Sequence, residues 1–90
     1  MLYRLLTENV NHEETLQLVA TYFEGFTVVA ATEYRQGKPK HSLIIEILPG
    51  EGVGDGVTRT VIDKLAYAIK KQTGQQAVIV QRIGCQNDMI

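Results

Sequence analysis

Six side chains in this sequence have the chemistry to hold a ligand: Arg4, Arg35, Arg59 and Arg82, together with His41 and Tyr34. A guanidinium presents a planar fork of N–H donors that matches phosphate or carboxylate oxygens in pairs, so the arginines point to a small anionic or nucleotide ligand. His41 and Tyr34 are expected as cross-strand neighbours at a hairpin end, where an imidazole and a phenol can bind, pass a proton or simply pack. Glu33 and Glu46 are expected to share a sheet face with Arg4 and Arg82 as paired charges. His12 and His41 are far apart, and the single cysteine, Cys85, is remote from both, so no zinc-ligand spacing is present. No Ser-His-Asp or Cys-His grouping is visible in chain order. The sequence therefore assigns no catalytic residue, no metal and no cofactor.

The glycine-rich run Gly50-Glu-Gly-Val-Gly-Asp-Gly56 precedes Thr58, Arg59 and Thr60. Backbone amides at a helix start can cradle an anion. The run is not G-x-x-x-x-G-K-[ST], however, and Glu51 and Asp55 would repel phosphate. Asp55 reads as the N-cap of the following helix.

These groups sit in a chain of 90 residues, which is one domain, expected over 1–84 with a flexible tail at 85–90. The hydrophobic share of 44% is that of an ordinary globular protein. A net charge of -1 gives no basic excess for gripping nucleic-acid phosphates. One cysteine excludes an intrachain disulfide. No run approaches the roughly 18 apolar residues of a membrane span, and the first residues lack a signal-peptide core. A cytoplasmic location is expected.

Leu2–Glu8 reads as a strand. Asn11 and Glu14 resemble a capping box that opens a helix, with Leu16, Val19, Ala20 and Phe23 on its apolar face and Gly25 at its end. Phe26–Arg35 and His41–Leu48 both alternate apolar and polar residues. A two-residue turn at Gly37-Lys38, of type II′, would set Val28 against Ile47, Ala30 against Ile45, Thr32 against Leu43 and Tyr34 against His41. Val57–Thr73 reads as a second helix with Val61, Ile62, Leu65, Ala68 and Ile69 inward and Gly74 closing it. Ala77–Ile83 is the last strand.

Strand, helix, strand, strand, helix, strand is the order of a ferredoxin-like βαββαβ sandwich, an α+β fold. It predicts a four-stranded antiparallel sheet of order 4-1-3-2 with both helices on one face. On the last strand the open face should carry Val78, Val80 and Arg82, or else Ala77, Ile79, Gln81 and Ile83; with the first set it mixes Leu6, Val29, Ala31, Ile44 and Val80 with Arg4, Glu33, Glu46 and Arg82. That mixture is too apolar for a plain wet surface, so a second copy, a partner or a ligand is expected there.

The stretch Tyr22-Phe-Glu-Gly-Phe-Thr-Val28, then Thr32, Tyr34, Gly37, Ser42-Leu-Ile-Ile-Glu46 and Gly74-Gln-Gln-Ala-Val78, resembles a loose group of small uncharacterised phage and bacterial proteins. The resemblance implies the fold and a phage accessory role, such as blocking a host protein or sequestering a defence signal. The expectation is a homo-oligomeric, non-enzymatic binding module, with a host protein or a small anionic ligand held at a subunit boundary. The alternatives are a small enzyme of the dimeric α+β barrel type and a structural subunit.

Overall fold

The structure is a computed structural model that describes residues 2–50, 54–75 and 77–84, without the side chains of Arg35 and Asp55. The expected tail with Cys85, and the centre of the glycine-rich run, lie outside the described residues. In chain order the elements are β1 (Leu2–Glu8), α1 (His12–Tyr22), β2 (Thr27–Arg35), β3 (Lys38–Ile47), α2 (Asp55–Thr73) and β4 (Ile79–Ile83). The strands form one antiparallel sheet in the order β2-β3-β1-β4, an arrangement compatible with the expected one.

Burial along β1 alternates residue by residue, as the pleat requires when one face is covered. Tyr3 and Leu5 are fully buried, and so are Leu43, Ile45, Val19, Ile62, Leu65 and Ile69. Tyr3, Leu5, Ile45 and Ile47 from the sheet form one cluster with Val19 of α1 and with Ile62, Leu65, Ala66 and Ile69 of α2. Both helices therefore cover the same face. Among the described residues, no helix is long and apolar enough to cross a membrane.

Local details depart from the sequence reading for identifiable reasons. The hairpin turns at Gln36-Gly37, not Gly37-Lys38, so Val28 faces Ile45, Ala30 faces Leu43, Thr32 faces His41 and Tyr34 faces Pro39. The expected register was two residues out. A shift of two keeps every residue on its face, so alternation alone could not detect it. Gln36 and Gly37 both have positive φ, 52° and 76°, which is the type I′ signature rather than type II′.

Asn11 does precede α1, but in the left-handed region (φ 51°) and with no side-chain cap, so the capping box is absent. Instead Thr15, fully buried, donates through Oγ1 to the Val10 carbonyl at 3.3 Å. The inner face of α1 is rotated accordingly: Thr15 and Val19 are buried, and Leu18 and Phe23, not Ala20, pack on the core. The helix ends at Tyr22 with Phe23 already extended, before Gly25. Helix α2 starts at Asp55 with Gly54 as N-cap, so Asp55 is the first helical residue and not the cap.

The start of β4 is also later than expected, at Ile79 rather than Ala77. Its pairing with β1 reaches only to Leu6 opposite Ile79, so among the described residues the end of β1 has no strand on that side. Gln75 takes over there. Its Oε1 accepts from the Glu8 backbone N–H at 3.1 Å. Its Nε2 donates to Thr7 Oγ1 and to Thr73 Oγ1, both at 2.6 Å. A buried side-chain amide thus accepts the Glu8 N–H that a longer β4 would have taken. No buried side-chain polar atom among the described residues lacks a partner.

Two outcomes test this account. Because αL costs an L-residue on the order of 1 kcal/mol, Gln36→Asn should raise stability by about 0.5 kcal/mol and Gly37→Ala should lower it by about 1 kcal/mol. Open space surrounds Gly37, so the second loss is conformational rather than steric; equal urea midpoints for all three chains would refute the turn assignment. Gln75→Leu should cost about 1–3 kcal/mol, because it strands the buried Thr7 hydroxyl and the Glu8 amide. Urea unfolding should show the lower midpoint at unchanged slope, and hydrogen exchange should show the Glu8 amide exposed.

Candidate functional site

The face of the sheet that the helices leave open is organised in rungs running across the strands. One rung is apolar over all four strands: Ile79, Leu6, Ile44 and Val29 lie side by side. A second rung is polar, with Gln81, Arg4, Glu46 and Thr27 in line. On the other side of the apolar rung come Glu8, Ser42 and Ala31, and beyond them Lys40 opposite Glu33.

Small side chains at Ser42 and Ala31, between the bulkier Ile44 and Val29 on one side and the Glu33–Lys40 pair on the other, leave a hollow. It is a groove of about 430 Å3, within the roughly 300–1,000 Å3 range of small-molecule sites. Leu6, Ile44 and Ile79 make its apolar end, while Glu8, Glu33 and Lys40 bring charge to it. Gln75 and Thr7, tied to each other, close it beside the late start of β4.

Arg4 is the one predicted site residue whose described side chain lies on this open face. Its Nη2 and Nε donate to a single Glu46 oxygen, at 2.8 and 3.2 Å, across the β1–β3 pair. The ion pair is half-buried. It occupies the rung on the far side of the apolar one and does not line the groove.

The other predicted residues are dispersed. Arg59 sits on α2, over the opposite face of the sheet, and pairs with Asp63 one turn on at 2.8 Å. Arg82 opposes Tyr3 and so belongs to the helix-covered face, together with Val80 opposite Leu5. The open face of β4 is therefore Ile79 and Gln81, the second of the two expected sets, and not the one with Val80 and Arg82. Arg35 ends β2 opposite Lys38.

Tyr34 and His41 are not partners. Tyr34 opposes Pro39 and is 72% exposed. His41 opposes Thr32, with Nδ1 at 3.4 Å from Thr32 Oγ1. Both lie on the hairpin arm beyond the helices, where burial along β3 stops.

Lys40 and Gln75 were missed. An expected strand start at His41 excludes Lys40; the observed strand begins at Lys38 and places it opposite Glu33. Gln75 carries no periodic signal, because it works as a substitute strand end. Among the described residues no group of three or more His, Cys, Asp or Glu could hold a metal ion.

Neither a protein-family model nor a curated protein sequence matches the chain. Solved structures do. A phage SAM lyase in complex with S-methyl-5'-thioadenosine superposes with a TM-score of 0.71 at 17% identity, covering 88% of this chain and 76% of that one. A phage SAM lyase in the apo state gives 0.65 at 15% identity over 88% and 75%. The de novo designed protein Foldit4 gives 0.52 at 16% identity over 94% of each chain. A topology shared by a lyase and a designed protein assigns no activity by itself; at these identities the likeness is one of fold.

Proposed function

We propose that this chain is a ferredoxin-like binding module of the cytoplasm that takes S-adenosylmethionine, or a thioether derived from it, in the groove on the open sheet face. The observation that carries the reading is the charge of that groove. Glu8 and Glu33 against Lys40 leave one negative charge in excess beside an apolar floor. A phosphate ligand would be repelled there. S-Adenosylmethionine bears a sulfonium, an ammonium and a carboxylate, hence one positive charge in excess, and an adenosine to cover Leu6, Ile44 and Ile79. The arginines expected to grip an anion support this choice: Arg4 and Arg59 are engaged with Glu46 and Asp63. The fold likeness to a phage SAM lyase holding S-methyl-5'-thioadenosine supports the same ligand class, and it favours a second reading in which the bound sulfonium is also cleaved.

A second copy of the chain covers the open face in this proposal. Val29 and Ile79, at the two ends of the apolar rung, are 45% and 55% exposed, and a self-complementary face of this kind suits a closed symmetric assembly. Burying it would also shut the groove from water.

Titration calorimetry with S-adenosylmethionine, S-methyl-5'-thioadenosine and ATP tests the ligand. The expected result is heat with the first two and none with ATP; heat with ATP alone would restore the anionic reading. Ala31→Leu fills the hollow and should abolish binding while changing stability by no more than about 0.5 kcal/mol. Chromatography of the S-adenosylmethionine samples shows whether S-methyl-5'-thioadenosine accumulates, which decides between binding and cleavage. Sedimentation velocity tests the assembly: the wild-type chain should run larger than one chain, and Val29→Lys should return it to one. A wild-type chain that sediments singly at micromolar concentration removes the second copy from the proposal.

A further inference from the structure

We infer that Glu33 and Lys40 together recognise the amino-acid end of the ligand, an inference that rests on the groove being the S-adenosylmethionine site proposed above. The two residues face each other across β2 and β3 and both line the groove. Opposite charges on neighbouring strands form a dipole that a zwitterion can meet head to tail. The ligand's ammonium donates to the Glu33 carboxylate, and its carboxylate accepts from the Lys40 ammonium. A carboxylate has about four acceptor sites and an ammonium three donors, so each can hold a ligand group while also bonding within the protein.

The spacing along the strands fits the same arrangement. Lys40 and Ile44 lie on one face of β3, four residues apart, which is about 13 Å of extended chain. A nucleoside on the apolar rung with its amino-acid tail extended along β3 spans a distance of that order. The sulfonium then falls over the small rung of Ser42 and Ala31, beside the half-buried Glu8. Adenine on Ile44, sulfur by Glu8 and amino acid on the charged pair is one orientation; the reverse would put the zwitterion on Leu6 and Ile79, beside which Arg4 and Glu46 are bonded to each other outside the groove.

The test compares probes with and without the amino-acid end. S-Adenosylmethionine and S-adenosylhomocysteine carry it; S-methyl-5'-thioadenosine does not. Calorimetry on the full chain, on Glu33→Gln, on Lys40→Gln and on the exchanged pair Glu33→Lys with Lys40→Glu should show the first two probes weakened about fivefold or more in every variant. Binding of S-methyl-5'-thioadenosine should stay at the wild-type value. The exchanged pair keeps both charges and their cross-strand attraction, so its thermal midpoint should stay near wild type, and its loss of binding reports orientation rather than folding. Equal weakening of all three probes, or of none, overturns the recognition role. A wild-type chain that binds S-methyl-5'-thioadenosine but neither longer probe overturns it too, leaving the groove as the site. A wild-type chain that binds none of the three overturns the site itself.

Discussion

A four-stranded sheet has two faces, and the described residues form two helices, both used on one of them. Side chains alternate along every strand, so covering one face settles the fate of each residue at once. Tyr3 and Leu5 are buried and their neighbours Leu2, Arg4 and Leu6 stay half-open. The same division passes through β3, where Leu43, Ile45 and Ile47 are buried and Ser42, Ile44 and Glu46 are not fully so. The core then has the apolar packing a small domain needs. The apolar residues on the other face, Leu6, Val29, Ile44 and Ile79, are committed to a surface the helices do not shield.

That surface is not uniform, because the strands differ in length and the rungs differ in size. The late start of β4 leaves β1 two residues longer than its partner on that edge. A bare strand end would expose unpaired backbone groups. Gln75 avoids this for Glu8: its amide accepts from the Glu8 N–H and donates to Thr7 Oγ1 from just past α2. The gap left beside it, over Ser42 and Ala31, becomes a groove. Its shape follows from a hydrogen-bond requirement at a strand end and from two small residues on one rung.

Much of this was legible in the sequence. Apolar alternation is a strong signal when one face is buried, which is why the strand order and the inward set Tyr3 and Leu5 could be read in advance. The hairpin register was not, since a slip by two residues preserves every facing. The deciding fact is which two residues accept positive φ, and Gln36 is not a residue that advertises it. Helix α1 was misread at its start because Asn11 uses its tolerance of the left-handed region and not its side-chain cap. For β4 the sequence left two facings open and the one with Val80 and Arg82 fails, because β4 is short and half-exposed and its own pattern is weak; only pairing with β1 decides it. The Glu33–Lys40 pair needed the correct register before it existed as a pair at all.

The electrostatics follow from the same alternation. Arginine was the obvious candidate for ligand contact, but each described arginine side chain on a strand or helix is placed by its element first. Arg4 falls on the open face directly opposite Glu46, where a half-buried pair is held by two N–H donors on one oxygen. Removing either partner to free the other for a ligand would leave a partly desolvated charge behind. Lys40 is placed differently, at the rim of the groove on the exposed part of β3. Covering the open face lowers the local dielectric, and charges at the groove rim gain from that more than charges in water do. An assembly that shields the apolar rung would therefore also strengthen the attraction of Glu8, Glu33 and Lys40 for a ligand of complementary charge. In such an assembly, site and interface would be one physical event.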